Sequence, residues 1–466
     1  MRRLLIALVR ILPPLILICC CCCCCLYAKP ACSQQRPRRG KPPSSSPAVA
    51  RKGRATIVID GTWQFAKDLD KHGTDAGWAK SPPTAAAPTT IPALWTSDAA
   101  PGYTGTAWYW KTFAVPADWK GQTIRVLFNA VAEIASVWLN GVSLGDHSGG
   151  ETPFEFNVTK SVKIGQDNLL AVKVDGDAKR GAGIWQGVEL ISHDEAYIQH
   201  LFTSADDFGA ISADISLLNT STVEGDAELD CVVSTEADAK REVRKSNQNL
   251  HLTPNLNVTN FITSVGKGDL TLWSLDSPFL YAYQLIFKQG KDILDTDESR
   301  FGCRSFGLKN NQITLNAAPL MLSAMALNTD LPTVIATTDD TDKARSILTR
   351  AKSAGVTVIY LDAANPAILD LADSVGILVI EGAIPRLAPA ARDAEMRELV
   401  MRDRNHPSVL GWRPGDCTDD FAKELRQLDP TRFLLTGTAN QVQLYAPGKD
   451  SPAKGPLPVG LLPVAR

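Results

Sequence analysis

Carboxylates and one thiol gather where a short apolar run of this chain ends. Ser408–Trp412 (SVLGW) has the length and character of a buried strand. Arg402-Asp403-Arg404-Asn405-His406-Pro407 before it forms a polar turn, and its proline bars a helix from continuing. Arg413-Pro414-Gly415-Asp416-Cys417-Thr418-Asp419-Asp420 after it sets turn formers and acids where such a strand would emerge. Carboxylates there could give and take protons, and the C-terminal end of a strand is where a (β/α) barrel does its chemistry. Cys417 could attack as a nucleophile only beside a general base, and the one nearby histidine, His406, lies across the strand. Glu381 closes a second apolar run, Ile377–Ile380.

The same stretch resembles the acid/base signature of the family 2 glycoside hydrolases (β-galactosidases, β-glucuronidases, β-mannosidases), R-D-[RK]-N-H-P-S-[IV]-x-x-W-S-x-x-N-E. Arg402 through Ser408 and then Trp412 match it, and the family's Asn-Glu pair falls on Asp416 and Cys417. Retaining hydrolysis uses two carboxyl groups about 5–5.5 Å apart, one protonating the leaving oxygen and one attacking the sugar. The resemblance therefore implies that a thiol stands where the acid/base glutamate belongs, and an ordinary cysteine is a poor proton donor to a glycosidic oxygen. Glu381 matches a family position at a strand end, in Asp373–Glu381 (DSVGILVIE). Where the family carries an Arg-Gly pair and a histidine after its first barrel strand, Ser323, Ala324 and Ala326–Thr329 stand here. Tyr360 and Asn365-Pro366 replace an arginine and a His-Tyr-Pro run. The retained Arg402, Asp403, Asn405 and His406 precede the strand and are expected to hold structure.

The 466 residues allow two to four domains. The first 54 hold eleven basic residues and no acid, so the net charge of −2 leaves about −13 on the remaining body, which argues against nucleic acid as a partner. Seven of the eleven cysteines form the run Cys19–Cys25, and no pair outside it has metal-ligand spacing; neither a metal nor a cofactor is expected.

Taken in order, residues 1–28 have a basic start and an uncharged apolar run, the pattern of a signal peptide or, failing cleavage, a membrane anchor. Residues 29–55 are a basic Pro/Ser linker expected to be a disordered tether. Residues 56–192 show short alternating runs separated by turn formers, the pattern of a jelly-roll sandwich, with Asn140-Gly141 the strongest hairpin signal. Asp60–Phe65, Ile91–Trp95, Ala107–Trp110, Val137–Gly141 and Gly183–Trp185 follow the order of the sugar-binding domain that opens family 2 enzymes. Trp63, Trp110 and Trp138 suit a sandwich core better than a sugar platform. His147 and Glu151 lie in a Gly-rich stretch, Gly145–Thr152, that could lend a loop to a sugar site.

Residues 193–306 are expected to form an immunoglobulin-like sandwich, ending in Leu272–Tyr281 and Arg300–Phe306, which resemble family stretches; polar Thr235–Asn249 is expected to be a mobile loop. From Ile313 strands and helices alternate, the signature of a parallel sheet. Only 154 residues remain from that point, too few for the roughly 200–250 of a complete (β/α)₈ barrel. Residues 307–437 are therefore expected to form a truncated TIM-barrel-like domain, and 438–466 a Pro/Gly-rich tail.

Together these readings describe an exported β plus α/β protein, similar to family 2 glycoside hydrolases in layout, expected to be a non-catalytic protein that binds a carbohydrate or glycoconjugate or serves in the cell envelope. Trp412, His147 and Glu151 are the candidate sugar contacts. The alternative is a working β-glycosidase with Asp416 or Asp420 as acid and Glu381 as base. A third reading is an assembly module, a homo-oligomer whose open sheet edge at Phe433–Leu435 pairs with a partner.

Overall fold

The computed structural model describes residues 53–95, 99–176, 181–327, 338–383, 388–437, 442–454, 457–458 and 461–462. The leader and nearly all of the tether lie outside the described residues. Arg54 and Ala55, assigned to the tether by composition, belong to the fold. Arg54 Nη2 donates to Asp295 Oδ2 at 2.8 Å, and Ala55 pairs with Ser192. No helix among the described residues is long and apolar enough to cross a membrane.

The first region is a β-sandwich. One sheet runs Ala55–Val58, Val188–His193, Thr123–Phe128 and Phe154–Asn157; the other is built around Val131–Leu139, Asp167–Gly176, Gly105–Ala114 and Gly61–Asp68. Every strand pair in it is antiparallel. Alternation decides which side chains face inward: Ala135, Val137 and Leu139 enter the core between the sheets. Trp138 points to the opposite face, stacked on Trp108 with centroids 5.0 Å apart. Trp63 is core and donates from Nε1 to Ile59 O at 2.8 Å. Asn140 and Gly141 both hold positive φ (53° and 80°) between paired Leu139 and Val142, the backbone a two-residue type I′ hairpin demands.

In the second sandwich a three-stranded sheet (Ala196–Ala205, Ala210–Asn219, Asn255–Ser264) faces a four-stranded one (Asp238–Leu252, Gly225–Thr235, Tyr281–Gln289, Asp292–Phe301). The stretch expected to be a mobile loop is mostly strand, because Asp238–Leu252 pairs along its length with Gly225–Thr235. It lies at the sheet edge with most side chains exposed. Polar composition there reflects an edge blunted with charge rather than an absence of pairing.

The third region is a sheet of five parallel strands in chain order, Ala324–Ala326, Val358–Asp362, Leu378–Gly382, Val409–Gly415 and Phe433–Thr436. Helices α1 (Thr338–Ser353), α2 (Pro366–Val375), α3 (Pro389–Asp403) and α4 (Asp419–Leu428) connect them. Asn365 caps α2 by accepting from Ala367 N at 3.0 Å, with Pro366 in the first turn. Gly376 ends α2 at φ 74°, where a Cβ would stand 2.4 Å from Leu275 O. A sixth strand, Gln443–Tyr445, pairs antiparallel with Phe433–Thr436. The edge expected to be open to a partner is therefore covered by the chain itself. The face away from the helices is apolar and carries Val358, Ile380, Leu410 and Leu435. Part of the Pro/Gly-rich tail packs there: Leu461 is fully buried, and its carbonyl accepts the Tyr360 hydroxyl at 2.8 Å.

One buried carboxylate organises the seam between the second sandwich and this sheet. Asp373 accepts from Ser408 N (2.9 Å) and His406 Nδ1 (2.6 Å), while its own carbonyl takes the Trp273 indole N–H at 3.0 Å. Asn405 spans to the sandwich, donating to Leu201 O and accepting from Thr203 N. Burial alone would lower the pKa of His406; the Asp373 carboxylate outweighs it and holds the imidazolium above its ordinary value. The stabilisation is thus complete below the unfolded histidine value of about 6.5 and is lost as pH rises through the native value. Asp373→Ala is expected to cost about 3 kcal/mol and to remove most of that decline. Urea unfolding at pH 5.5 and 8.5 measures both; an unchanged slope would show that His406 is not its source.

Candidate functional site

The strand ends at the C-terminal side of the parallel sheet carry Asp362, Gly382, Gly415 and Thr436. Across them lies Arg413, whose Nη2 meets Asp362 Oδ1 at 2.5 Å and whose guanidinium sits 5.6 Å from the Tyr360 ring centroid. A side chain at position 382 would crowd it, since a Cβ there stands 3.0 Å from Arg413 O and 3.2 Å from Nη2. Burial pushes the Tyr360 phenol well above its usual range. The centre of this face is an ion pair flanked by a neutral phenol.

The sequence-derived residues distribute around that centre without converging on it. Asp416 is exposed, and its carbonyl accepts from Arg392 Nη2. Cys417 packs at the edge of the helix-side core, where burial, with Asp393 adding, pushes its thiol up to about 11. At neutral pH it is held as the thiol, the poorly nucleophilic form. Asp420 is exposed in the first turn of α4, where an acid complements the helix N-terminus, and Thr418 caps that helix by accepting from Phe421 N at 3.2 Å.

Glu381 and Trp412 are corrected by the parity of their strands. Leu378 and Ile380 face the apolar inner side, and Val379 faces the helices. Glu381 therefore also projects toward the helices, fully buried, with Oε1 accepting from Ala364 N (2.8 Å) and Arg402 Nη2 3.6 Å away. It is not poised against Asp416 or Asp420, so the relocated acid and base pair is not assembled. Trp412 is 1 % exposed and donates from Nε1 to Asp429 Oδ2 at 2.9 Å, which leaves no ring face for a sugar.

His147 lies on a strand, Val142–Gly149, and not in a loop; it stacks on Phe154 at 4.2 Å with Nε2 3.5 Å from Glu398 Oε2. Thr152 donates to the same carboxylate, and the Glu151 carbonyl accepts from Arg402. Burial alone would raise Glu398, but the contacts from His147 and Thr152 bring it below the usual range. These residues dock the first sandwich on α3. Sequence reading missed the partners Glu398 and Asp362. Asp362, as an acid at the end of an apolar run, carried a signal; Glu398, inside a charged helix, carried none.

Asp370, Asp373 and His406 bring donor atoms within 4.8 Å of one another, yet Asp370 pairs with Arg300, and His406 and Ser408 take Asp373. A cation is already supplied there by arginine.

Two family models cover adjoining stretches: the glycosyl hydrolases family 2 sugar binding domain over residues 57–219, and a glycosyl hydrolases family 2 domain over 196–304. The chain belongs to glycosyl hydrolase family 2. This family 2 chain is 27% identical over 355 residues to a β-galactosidase of Thermoanaerobacter pseudethanolicus, covering 70% of this chain and 47% of that protein. It is 25% identical over 459 residues to a β-glucuronidase of Formosa agariphila, covering 84% and 45%. The fold matches the crystal structure of a Bacteroides uniformis β-glucuronidase at TM-score 0.71 and 21% identity, over 83% of this chain and 52% of that one. The chain spans about half the length of the curated relatives it matches.

In this family 2 member Glu381 sets a measurable property. Burial, reinforced by the neighbouring Asp403 carboxylate, raises its pKa well above the ordinary range. The native state then holds the proton more tightly than the unfolded chain. Its contribution is complete below the unfolded value of about 4.3 and is lost as pH rises through the native one. Glu381→Gln, equal in shape, is expected to be at least as stable as the parent at pH 8 and to flatten this part of the pH profile. A loss exceeding about 2 kcal/mol at pH 8 in chemical denaturation would show that the charged form is the one the fold needs.

Proposed function

We propose that the chain is an exported, non-catalytic carbohydrate-binding member of its family, with its parallel sheet forming an open segment of a (β/α) barrel. The observation that carries the reading is the ion pair at the strand ends. Where glycosidic hydrolysis would need two carboxyl groups facing one sugar, Asp362 is neutralised by Arg413. The thiol of Cys417, aligned with the acid/base glutamate in the family signature, supports the same conclusion, because a group at about 11 yields its proton poorly. Carbohydrate as ligand rests on the match of residues 57–219 to a sugar binding domain and on the names of the relatives. Export rests on the basic and apolar leader pattern alone.

Chromogenic β-galactoside, β-glucuronide and β-mannoside are the direct test. The expected outcome is no turnover above buffer, with glycan-array binding retained, and Cys417→Glu alone should gain nothing. Turnover abolished by Asp362→Asn would sink the proposal and place a working carboxylate at the strand ends.

A further inference from the structure

The opposite end of the parallel sheet, where strands enter, holds a cavity of about 440 Å³ against the second sandwich. Its size lies within the range of small-molecule sites. Its walls include Thr203, Ser212 and Ile262 from the sandwich, and Arg304, Phe306 and Arg432 from the seam. Both arginines are buried, 6 % and 4 % exposed, but their charges are met differently. Arg432 pairs with Asp429 at 3.0 Å and also donates to Val409 O and His406 O.

Arg304 lies 4.1 Å over the Phe306 ring and donates from Nε to Pro407 O at 2.9 Å. Among the described residues that bond is the only side-chain hydrogen bond it donates, and its two Nη groups, which have no protein acceptor, are not sealed from solvent but open onto the cavity. Burial and the neighbouring Arg432 both press its pKa downward. A second polar group is left over on the same wall: Thr203 is 2 % exposed, and its Oγ1 has no partner. Asp206 also lines the cavity, with Oδ1 turned to Phe208 N and Ala210 N at 2.9 Å each. A guanidinium fork that opens onto the cavity without a protein acceptor, beside a buried hydroxyl without a partner, offers an anionic ligand two groups to bind.

We infer that this cavity binds a small organic acid, its planar carboxylate taken by the paired Nη groups of Arg304 and its body laid against Ile211 and Ile262. A guanidinium fork matches a carboxylate bidentately, and the apolar walls suit an organic body better than a bare inorganic ion. The inference is independent of the proposed function, since the site lies at the far end of the sheet from Asp362 and Arg413 and requires no turnover.

Calorimetric titration of the full chain with D-glucuronate, D-glucose and inorganic phosphate tests it. Glucuronate is expected to bind at least about tenfold more tightly than glucose or phosphate, and Arg304→Gln should lose about tenfold or more. Lys160→Gln, on the exposed surface of the first sandwich, should leave the affinity unchanged. Two variants guard against misfolding. Thr203→Val removes the hydroxyl at constant shape and should weaken binding about threefold. Ile262 is 72% exposed at the rim, so Ile262→Glu should weaken and Ile262→Lys strengthen binding, each by about threefold. Absence of glucuronate binding, equal binding of glucose, equal binding of phosphate, or insensitivity to both Ile262 changes would each overturn the assignment.

Discussion

The contact between Asp373 and the turn that opens the Val409–Gly415 strand is the constraint on which the arrangement depends. One carboxylate receives a backbone N–H from Ser408 and the ring N–H of His406, and the peptide carbonyl of the same residue holds Trp273 of the preceding region. Three segments distant in sequence are thereby fixed by one buried residue. Because Asp373 is fully buried, the alternative to these bonds is an unsolvated charge, which makes the geometry hard to relax.

That dependence explains how a signature associated with catalysis persists beside an altered strand end. Arg402, Asp403, Asn405 and His406 spend their hydrogen-bonding capacity inside the protein. Arg402 links Asp403, Ala364 O and Glu151 O; Asn405 clamps Leu201 and Thr203. These residues hold the seam whatever stands at Asp416 and Cys417. The motif thus joins two separable parts, one that builds the strand entrance and one that acts at its exit.

Much of the fold was legible because its signals are local. Period-two alternation, Asn140-Gly141, and the strand and helix alternation after Ile313 each report short-range physics. The Asp238–Leu252 strand was misread because an edge strand has one solvent face and one unpaired flank, so its composition resembles a loop. The site was less legible for a different reason. Whether Glu381 and Trp412 face the inner side or the helices depends on strand parity counted from a core that only the tertiary structure reveals. The glycines around His147 read as turn formers, whereas in the fold Gly145 stands beside a register shift within a strand, and the partner of His147, Glu398, lies far along the chain. Pairing across such separations leaves no trace in spacing.

The tail segment that meets Tyr360 bears on solubility. Leu461 seats itself on the inner, apolar face of the parallel sheet and accepts the phenolic hydroxyl that would otherwise be stranded there. Hydrocarbon that a neighbouring molecule could adhere to is thereby kept from water. A stretch whose composition marks it only as a Pro/Gly-rich tail works as a built-in stopper, and losing its grip would bare an adhesive apolar face.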